Sequence, residues 1–246
     1  MWIALEGVSA GSRVEQPDAP LLCDVSLAIA RGEYVALLGP SGAGKSLLLE
    51  VLSGLRRPAS GCYWLDGRRV DRLREEARDR LRGRRIGFLA GTPLLVPELS
   101  VVENVELPLL YRRVDARERR ARAVGILGEL GLGPRLRLRP QELSPAERQR
   151  AALARACIGR PDLLLADDPT RGLDGRSGDE VMDLLESRRI QGLTLVIATQ
   201  DAARGRRADR LVQMRDGHVV RELAGGIRFG SRGALAGRLR GRARRR

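Results

Sequence analysis

Gly39-Pro40-Ser41-Gly42-Ala43-Gly44-Lys45-Ser46 constrains the fold of this chain more than any other stretch. Two glycines bracket four residues and lead into Lys-Ser, the P-loop pattern. Glycines let the backbone turn so that successive N–H groups face an anion, and a following helix adds its positive end. Lys45 would reach the outer phosphates of a nucleotide, and the Ser46 hydroxyl would sit on Mg²⁺. The context agrees. Tyr34-Val35-Ala36-Leu37-Leu38 reads as a short buried parallel strand, and an apolar helix runs from about Lys45 to Leu55.

Composition sharpens that reading at one residue. Of 45 basic residues only Lys45 is a lysine; the others are arginines. A chain that uses arginine almost everywhere has kept a compact ammonium where a point charge must fit among phosphates. A second phosphate-site element is Leu163-Leu164-Leu165-Ala166-Asp167-Asp168. A buried strand ending in a carboxylate holds Mg²⁺ in P-loop proteins, which assigns Asp167 to the metal. Read alone, the two aspartates could merely cap a turn; following a P-loop, they point to the metal.

Other segments complete an α/β pattern. Residues 2–8 and 22–29 alternate as half-buried antiparallel strands, and residues 62–65 and 69–70 flank the hairpin signal Asp66-Gly67. Residues 86–89 form another short strand. Between about 92 and 159 the spacing turns helical, over residues 100–112, 115–130 and 144–158. Strand 163–166, helix 177–189 and strand 193–198 follow. A last pair, 211–214 and 218–223, joins through Asp216-Gly217. The expected fold is a P-loop core of mostly parallel sheet and helices, with an antiparallel β subdomain and an inserted helical arm.

With 246 residues the chain can bury a real core. No run approaches the ~18 apolar residues of a membrane-spanning helix, and the N-terminal stretch lacks an apolar block of signal-peptide type. Cys23, Cys62 and Cys157 are scattered and odd in number, which reads as reduced, mostly buried thiols. The sole histidine, His218, falls in the last strand pair and reads as structural. The net charge of +14 is uneven: residues 225–246 hold eight arginines and no acid, leaving +6 for the rest. That tail reads as a solvated, disordered end, or as a contact for anionic lipid or nucleic acid.

With these elements placed, residues 1–224 resemble the ABC transporter ATPase family. The landmarks come in its order: P-loop, helical arm (about 92–159), Leu143-Ser144, Asp167-Asp168-Pro169-Thr170, Gly172-Leu173-Asp174 and Val196-Ile197-Ala198-Thr199. Glu103-Asn104-Val105-Glu106-Leu107-Pro108-Leu109 looks like the branch serving lipoprotein release, macrolide export and cell division. The resemblance implies that two such subunits sandwich ATP and Mg²⁺ head to tail. The P-loop of one (Gly39 to Leu47) would face Ser144 and Asp174 of the other. Asp168 and Gln200 would serve the hydrolytic step, and closure would drive a multi-span membrane permease. The chain would then sit in the cytoplasm, on the inner face of the membrane through its permease. Its ATPase partner would be itself or another ABC subunit, and the stretch 98–113 would meet the permease.

The departures from that family matter as much as the matches. The signature Leu-Ser-Gly-Gly reads Leu143-Ser144-Pro145-Ala146 here, followed by Glu147. This is a good helix start, with a capping serine, proline at the first position and a capping-box glutamate. It is a poorer anion clamp, because Pro145 has no N–H and two side chains stand where backbone should approach the γ-phosphate. Asp168 replaces the water-activating glutamate, withdrawing the carboxylate roughly 1.5 Å, a misplacement that can cost ~10²-fold. Gln200 replaces the switch histidine and cannot become a cation. Gly91 stands where the loop glutamine belongs, Leu47 where threonine is usual, and no adenine-stacking aromatic lies near Ser12. Together these imply ATP binding with slow hydrolysis. Three readings stand: a transport ATPase subunit, a regulatory ATP-binding module with incidental turnover, and a soluble nucleic-acid-associated ABC protein.

Overall fold

The short apolar runs are strands covered on both faces. The computed structural model describes residues 1–11, 20–189 and 192–225; the Arg-rich tail and Ser12 lie outside the described residues. In chain order the elements begin β1 (Ile3–Gly11), β2 (Pro20–Ile29), β3 (Tyr34–Leu38), α1 (Lys45–Leu52), β4 (Ser60–Leu65), β5 (Arg68–Arg69), α2 (Glu75–Arg85) and β6 (Ile86–Leu89). The arm follows as α3 (Val101–Tyr111), α4 (Ala116–Glu129) and α5 (Pro145–Cys157). The chain closes with β7 (Leu163–Asp167), α6 (Gly175–Arg189), β8 (Thr194–Thr199), α7 (Ala202–Gly205), β9 (Arg210–Arg215) and β10 (His218–Ala224).

Two sheets form, and the hydrogen-bonding pattern decides their roles. β2-β1-β4-β5 is antiparallel throughout. The second sheet runs β10-β9-β3-β8-β7-β6, parallel except for the β9–β10 hairpin. Alternate residues of its central strands enter different cores. Tyr34 and Ala36, Leu164 and Ala166, and Leu195 and Ile197 face the arm and α6. Val35 and Leu37, Leu163 and Leu165, and Val196 and Ala198 face α1 and the antiparallel sheet. A strand with both faces buried reads as a continuous apolar run, which is why these segments showed no alternation.

The arm is built on caps. Ser100 and Glu103 form a reciprocal capping box at the start of α3, and Asp115 accepts from Arg117 and Glu118 at the start of α4. Fully buried Asn104 pins the loop ahead of α3. Its amide donates to the carbonyls of Val96, Leu99 and Ser100 (3.0–3.1 Å), and its oxygen accepts from the Val96 N–H at 2.7 Å.

Two expectations need correction. α2 has no counterpart in the predicted pattern, because its sequence, EEARDRLRGRR, buries no residue and so carries no apolar stripe. The cysteines are less covered than expected: Cys157 is buried and its thiol is pushed up to about 12 by desolvation, but Cys23 and Cys62 are half-buried. His218 is exposed at the first position of β10. No helix among the described residues is long and apolar enough to cross a membrane.

Candidate functional site

The parallel strands β3, β7 and β8 end together, and the loops that leave them enclose a cavity of about 250 Å³. From the first loop come Ser41 to Leu47, from the second Asp167, Asp168 and Arg171, and from the third Thr199 and Gln200. Glu50 of α1 and Arg56 close the far side. Ligand sites of open α/β sheets form at this edge, beyond the carboxyl ends of the strands.

The first loop takes its shape from glycine. Gly42 and Gly44 have φ of 78° and 90°, a region that other residues rarely enter, and Gly44 caps α1 without a side chain. The N-terminal N–H groups of α1 are thereby left free of side-chain caps at the cavity floor. Lys45 is 8% exposed, and its ammonium donates to the carbonyls of Gly39 (2.8 Å) and Pro40 (2.7 Å). Burial pushes its pKa down, while the carboxylates of Asp167 and Asp168 oppose that shift. An anion entering the cavity would give the ammonium a partner better than two neutral carbonyls.

The second loop begins with a bend. Asp168 has a φ of 48°, and its N–H donates to the Ala198 carbonyl of β8 at 2.8 Å. The turn closes when the Arg171 N–H donates to the Asp168 carbonyl at 3.0 Å, and the two side chains then pair, Nε to Oδ2, at 3.2 Å. In the third loop the buried Thr199 hydroxyl accepts from the Asp201 N–H at 3.0 Å, leaving Gln200 exposed at the cavity edge.

Of the residues singled out by sequence, Ser41, Gly42, Ala43, Gly44, Lys45, Ser46, Leu47, Asp167, Asp168 and Gln200 share this cavity. Gly39 and Pro40 lie behind it as Lys45 acceptors. Ser144 and Asp174 do not line it. Ser144 caps α5 in a reciprocal box with Glu147 (3.2 and 2.9 Å), and Asp174 accepts from the Ser177 N–H and hydroxyl (2.9 and 2.8 Å) ahead of α6. Sequence reasoning missed Arg171, Arg56, Glu50 and Thr199. Arg171 was open to discovery, since it follows Asp167-Asp168-Pro169-Thr170 directly; Arg56 and Glu50 join the site only through the packing of α1.

Gly91 adjoins the second loop from outside the cavity lining. A Cβ there would stand 2.7 and 2.9 Å from the carbonyl oxygens of Asp167 and Asp168. The side chain missing at this position is thus also one that the present backbone has no room for.

Comparison with known proteins agrees with this geometry. Residues 22–171 match the family model described as ABC transporter. The ABC transporter ATP-binding protein YvrO of Bacillus subtilis is 36% identical over 225 residues, covering 92% of this chain and 98% of that protein. The macrolide export ATP-binding/permease protein MacB 1/2 of Paracoccus denitrificans is 44% identical over 200 residues, but the chain spans only 30% of its length. A dimeric ATP-binding cassette in a post-hydrolysis state, bound to ADP and Pi, superposes with a TM-score of 0.84 at 33% identity, over 90% of this chain and 98% of that one. A cavity at the strand ends floored by a P-loop and these likenesses together place the chain in the ABC transporter ATP-binding family.

Proposed function

We propose that the chain is the ATP-binding subunit of a transporter, gating or powering a separately encoded permease through ATP-dependent dimerisation, with slow hydrolysis. The observation that carries this is the cavity itself. It sets the capless N-terminus of α1 and the Lys45 ammonium opposite Asp167 and Asp168. Cation and helix end suit the phosphates of ATP. Ser46 and Asp167 line the same cavity and would hold Mg²⁺, whose role is to neutralise phosphate charge. Among the described residues no group of three His, Cys, Asp or Glu could hold a metal. One hydroxyl and one carboxylate suit an ion that keeps water and phosphate oxygens as its remaining ligands.

Ser144 and Asp174 lie away from the cavity, which supports their use across a dimer interface rather than within one chain. The dimeric cassette bound to ADP and Pi supports both dimerisation and turnover in this family. The Paracoccus relative is an ATP-binding/permease protein, and the matched portion is less than a third of it, which supports a permease partner for the present chain. A groove between α2, β6, α3 and α5, lined by Phe88, Leu107, Pro108, Tyr111 and Arg112, offers the permease a mostly apolar seat that includes part of the predicted stretch 98–113. Peripheral attachment to the membrane follows from that contact.

Slow hydrolysis rests on Asp168, Gln200 and Pro145-Ala146, since a homodimer and a mixed dimer alike leave every site with at least one substitution. The test is ATP binding and steady-state turnover by wild type, Lys45→Ala, and a variant carrying Asp168→Glu, Gln200→His, Pro145→Gly and Ala146→Gly. The expected result is binding by wild type, turnover barely above Lys45→Ala, and a gain in the combined variant. Wild-type turnover already equal to the combined variant would overturn the slow-hydrolysis reading.

A further inference from the structure

Within the site the charges are not evenly committed. Lys45 is held by two neutral carbonyls and stays available to an anion, whereas the other two cations of the cavity are paired, Arg56 with Glu50 and Arg171 with Asp168. The pair is fixed at both ends. On one side the bend at Asp168 and its N–H bond to Ala198 set the backbone; on the other, the Arg171 N–H closes the turn on the Asp168 carbonyl. Asp168 is 21% exposed and Arg171 58%, so the guanidinium lies over the carboxylate on its solvent side. Among the described residues Arg171 makes no other ion pair.

We infer that Arg171 is a positioning residue that restrains Asp168 and thereby sets the rate of ATP turnover. The inference rests on the proposed role of Asp168 as the acceptor for the attacking water. In hydrolysis the water oxygen bonds to the terminal phosphorus as the bond to the bridging oxygen breaks. ADP leaves with that electron pair, and the water's proton passes to the phosphate product or solvent. A carboxylate orients the water by accepting one of its hydrogens. A guanidinium on Oδ2 competes for that acceptor and offsets its charge. The shortened reach of Asp168 and its occupied oxygen therefore act in the same direction.

The experiment is a cycle on the full chain with ATP and Mg²⁺: wild type, Arg171→Ala and Arg171→Lys, each in the native and the Asp168→Asn background. Nucleotide binding is measured separately from kcat and KM. An exposed ion pair of up to about 1 kcal/mol corresponds to a factor of about 5. Arg171→Ala should therefore raise kcat about two- to fivefold with KM changed less than about twofold, and Arg171→Lys should keep the low rate. In the Asp168→Asn background Arg171→Ala should do nothing. A fall in kcat, or a rise in KM beyond about tenfold, would instead make Arg171 a phosphate ligand and overturn the inference. So would an unchanged kcat, or an equal gain in both backgrounds. Wild type that binds no ATP removes the proposed function as well; wild type that binds ATP but ignores Arg171→Ala removes the inference alone.

Discussion

Two carbonyl oxygens decide what residue 91 can be. Because a Cβ would stand 2.7 Å from Asp167 O and 2.9 Å from Asp168 O, any substitution must push back the loop that carries both aspartates. Overpacking against backbone costs about 1–3 kcal/mol, so Gly91→Ala should lower the thermal midpoint by roughly 2–10 °C. Differential scanning calorimetry checks this; an unchanged midpoint would show the loop to be pliant. For the same reason the family's loop glutamine is not recoverable by Gly91→Gln alone. Lys45 is the opposite case, a side chain that can be shortened without a clash, though its bonds to Gly39 O and Pro40 O go with it. Removing a charged donor costs about 1.5–3 kcal/mol, so Lys45→Ala should weaken ATP binding by roughly 10–100-fold in a titration.

The start of α5 shows how a changed motif keeps its structural half. Ser144 and Glu147 cap each other, Pro145 occupies the first helical turn, and Glu147 also accepts from Arg135 at 2.8 Å. The Arg135 bond first, and the Ser144 N–H second, pull the Glu147 carboxyl down to about 2 from 4.5. A depressed acid stabilises the fold above its unfolded pKa and loses that contribution as pH falls through the folded one. Stability should therefore decline between pH 4.5 and about 2 on this account, and Glu147→Gln should flatten that part of a pH series of urea midpoints. Ser144→Ala should cost about 1 kcal/mol in the same assay. The capping box, the P-loop and the buried strands were legible in sequence because each rests on local pattern. α2 was not, since a helix without an apolar face leaves no period to read. Arg171 and Arg56 entered the site only when the strand ends were brought together. Gly91 showed as a missing ligand but not as a forced glycine, because its contact is with carbonyls some 76 residues away.

At the scale of the whole molecule the parallel sheet is a partition. One core joins it to the arm and α6, the other to α1 and the antiparallel sheet, and the nucleotide cavity opens where the partition ends. Fully buried Tyr63 of β4 ties the antiparallel sheet to α1, its hydroxyl donating at 2.7 Å to Leu52 O at the helix end. A ligand held on α1 is therefore held on a helix packed into the second core, between the parallel and the antiparallel sheet. ATP at a hundredfold excess over its Kd should add about 2.7 kcal/mol, raising the thermal midpoint by roughly 5–10 °C. Lys45→Ala should show no such rise at the same concentration. With slow turnover the ATP-loaded wild type should also sediment as a dimer that reverts to monomer on nucleotide removal. A chain that stays monomeric with saturating ATP and a partner-free preparation would point instead to an obligate mixed dimer.

Replacing every other lysine by arginine has a chemical corollary. Apart from the α-amino group of Met1, Lys45 carries the only primary amine in 246 residues. Its lowered pKa leaves more of it as the nucleophilic free base. An acylating reagent small enough to enter the cavity would thus mark a single side chain, and bound nucleotide would shield it. The extent of labelling at Lys45, read by peptide mass so that the Met1 amine is counted apart, becomes a gauge of site occupancy, and a lysine-specific protease would cut the fully labelled chain nowhere at all.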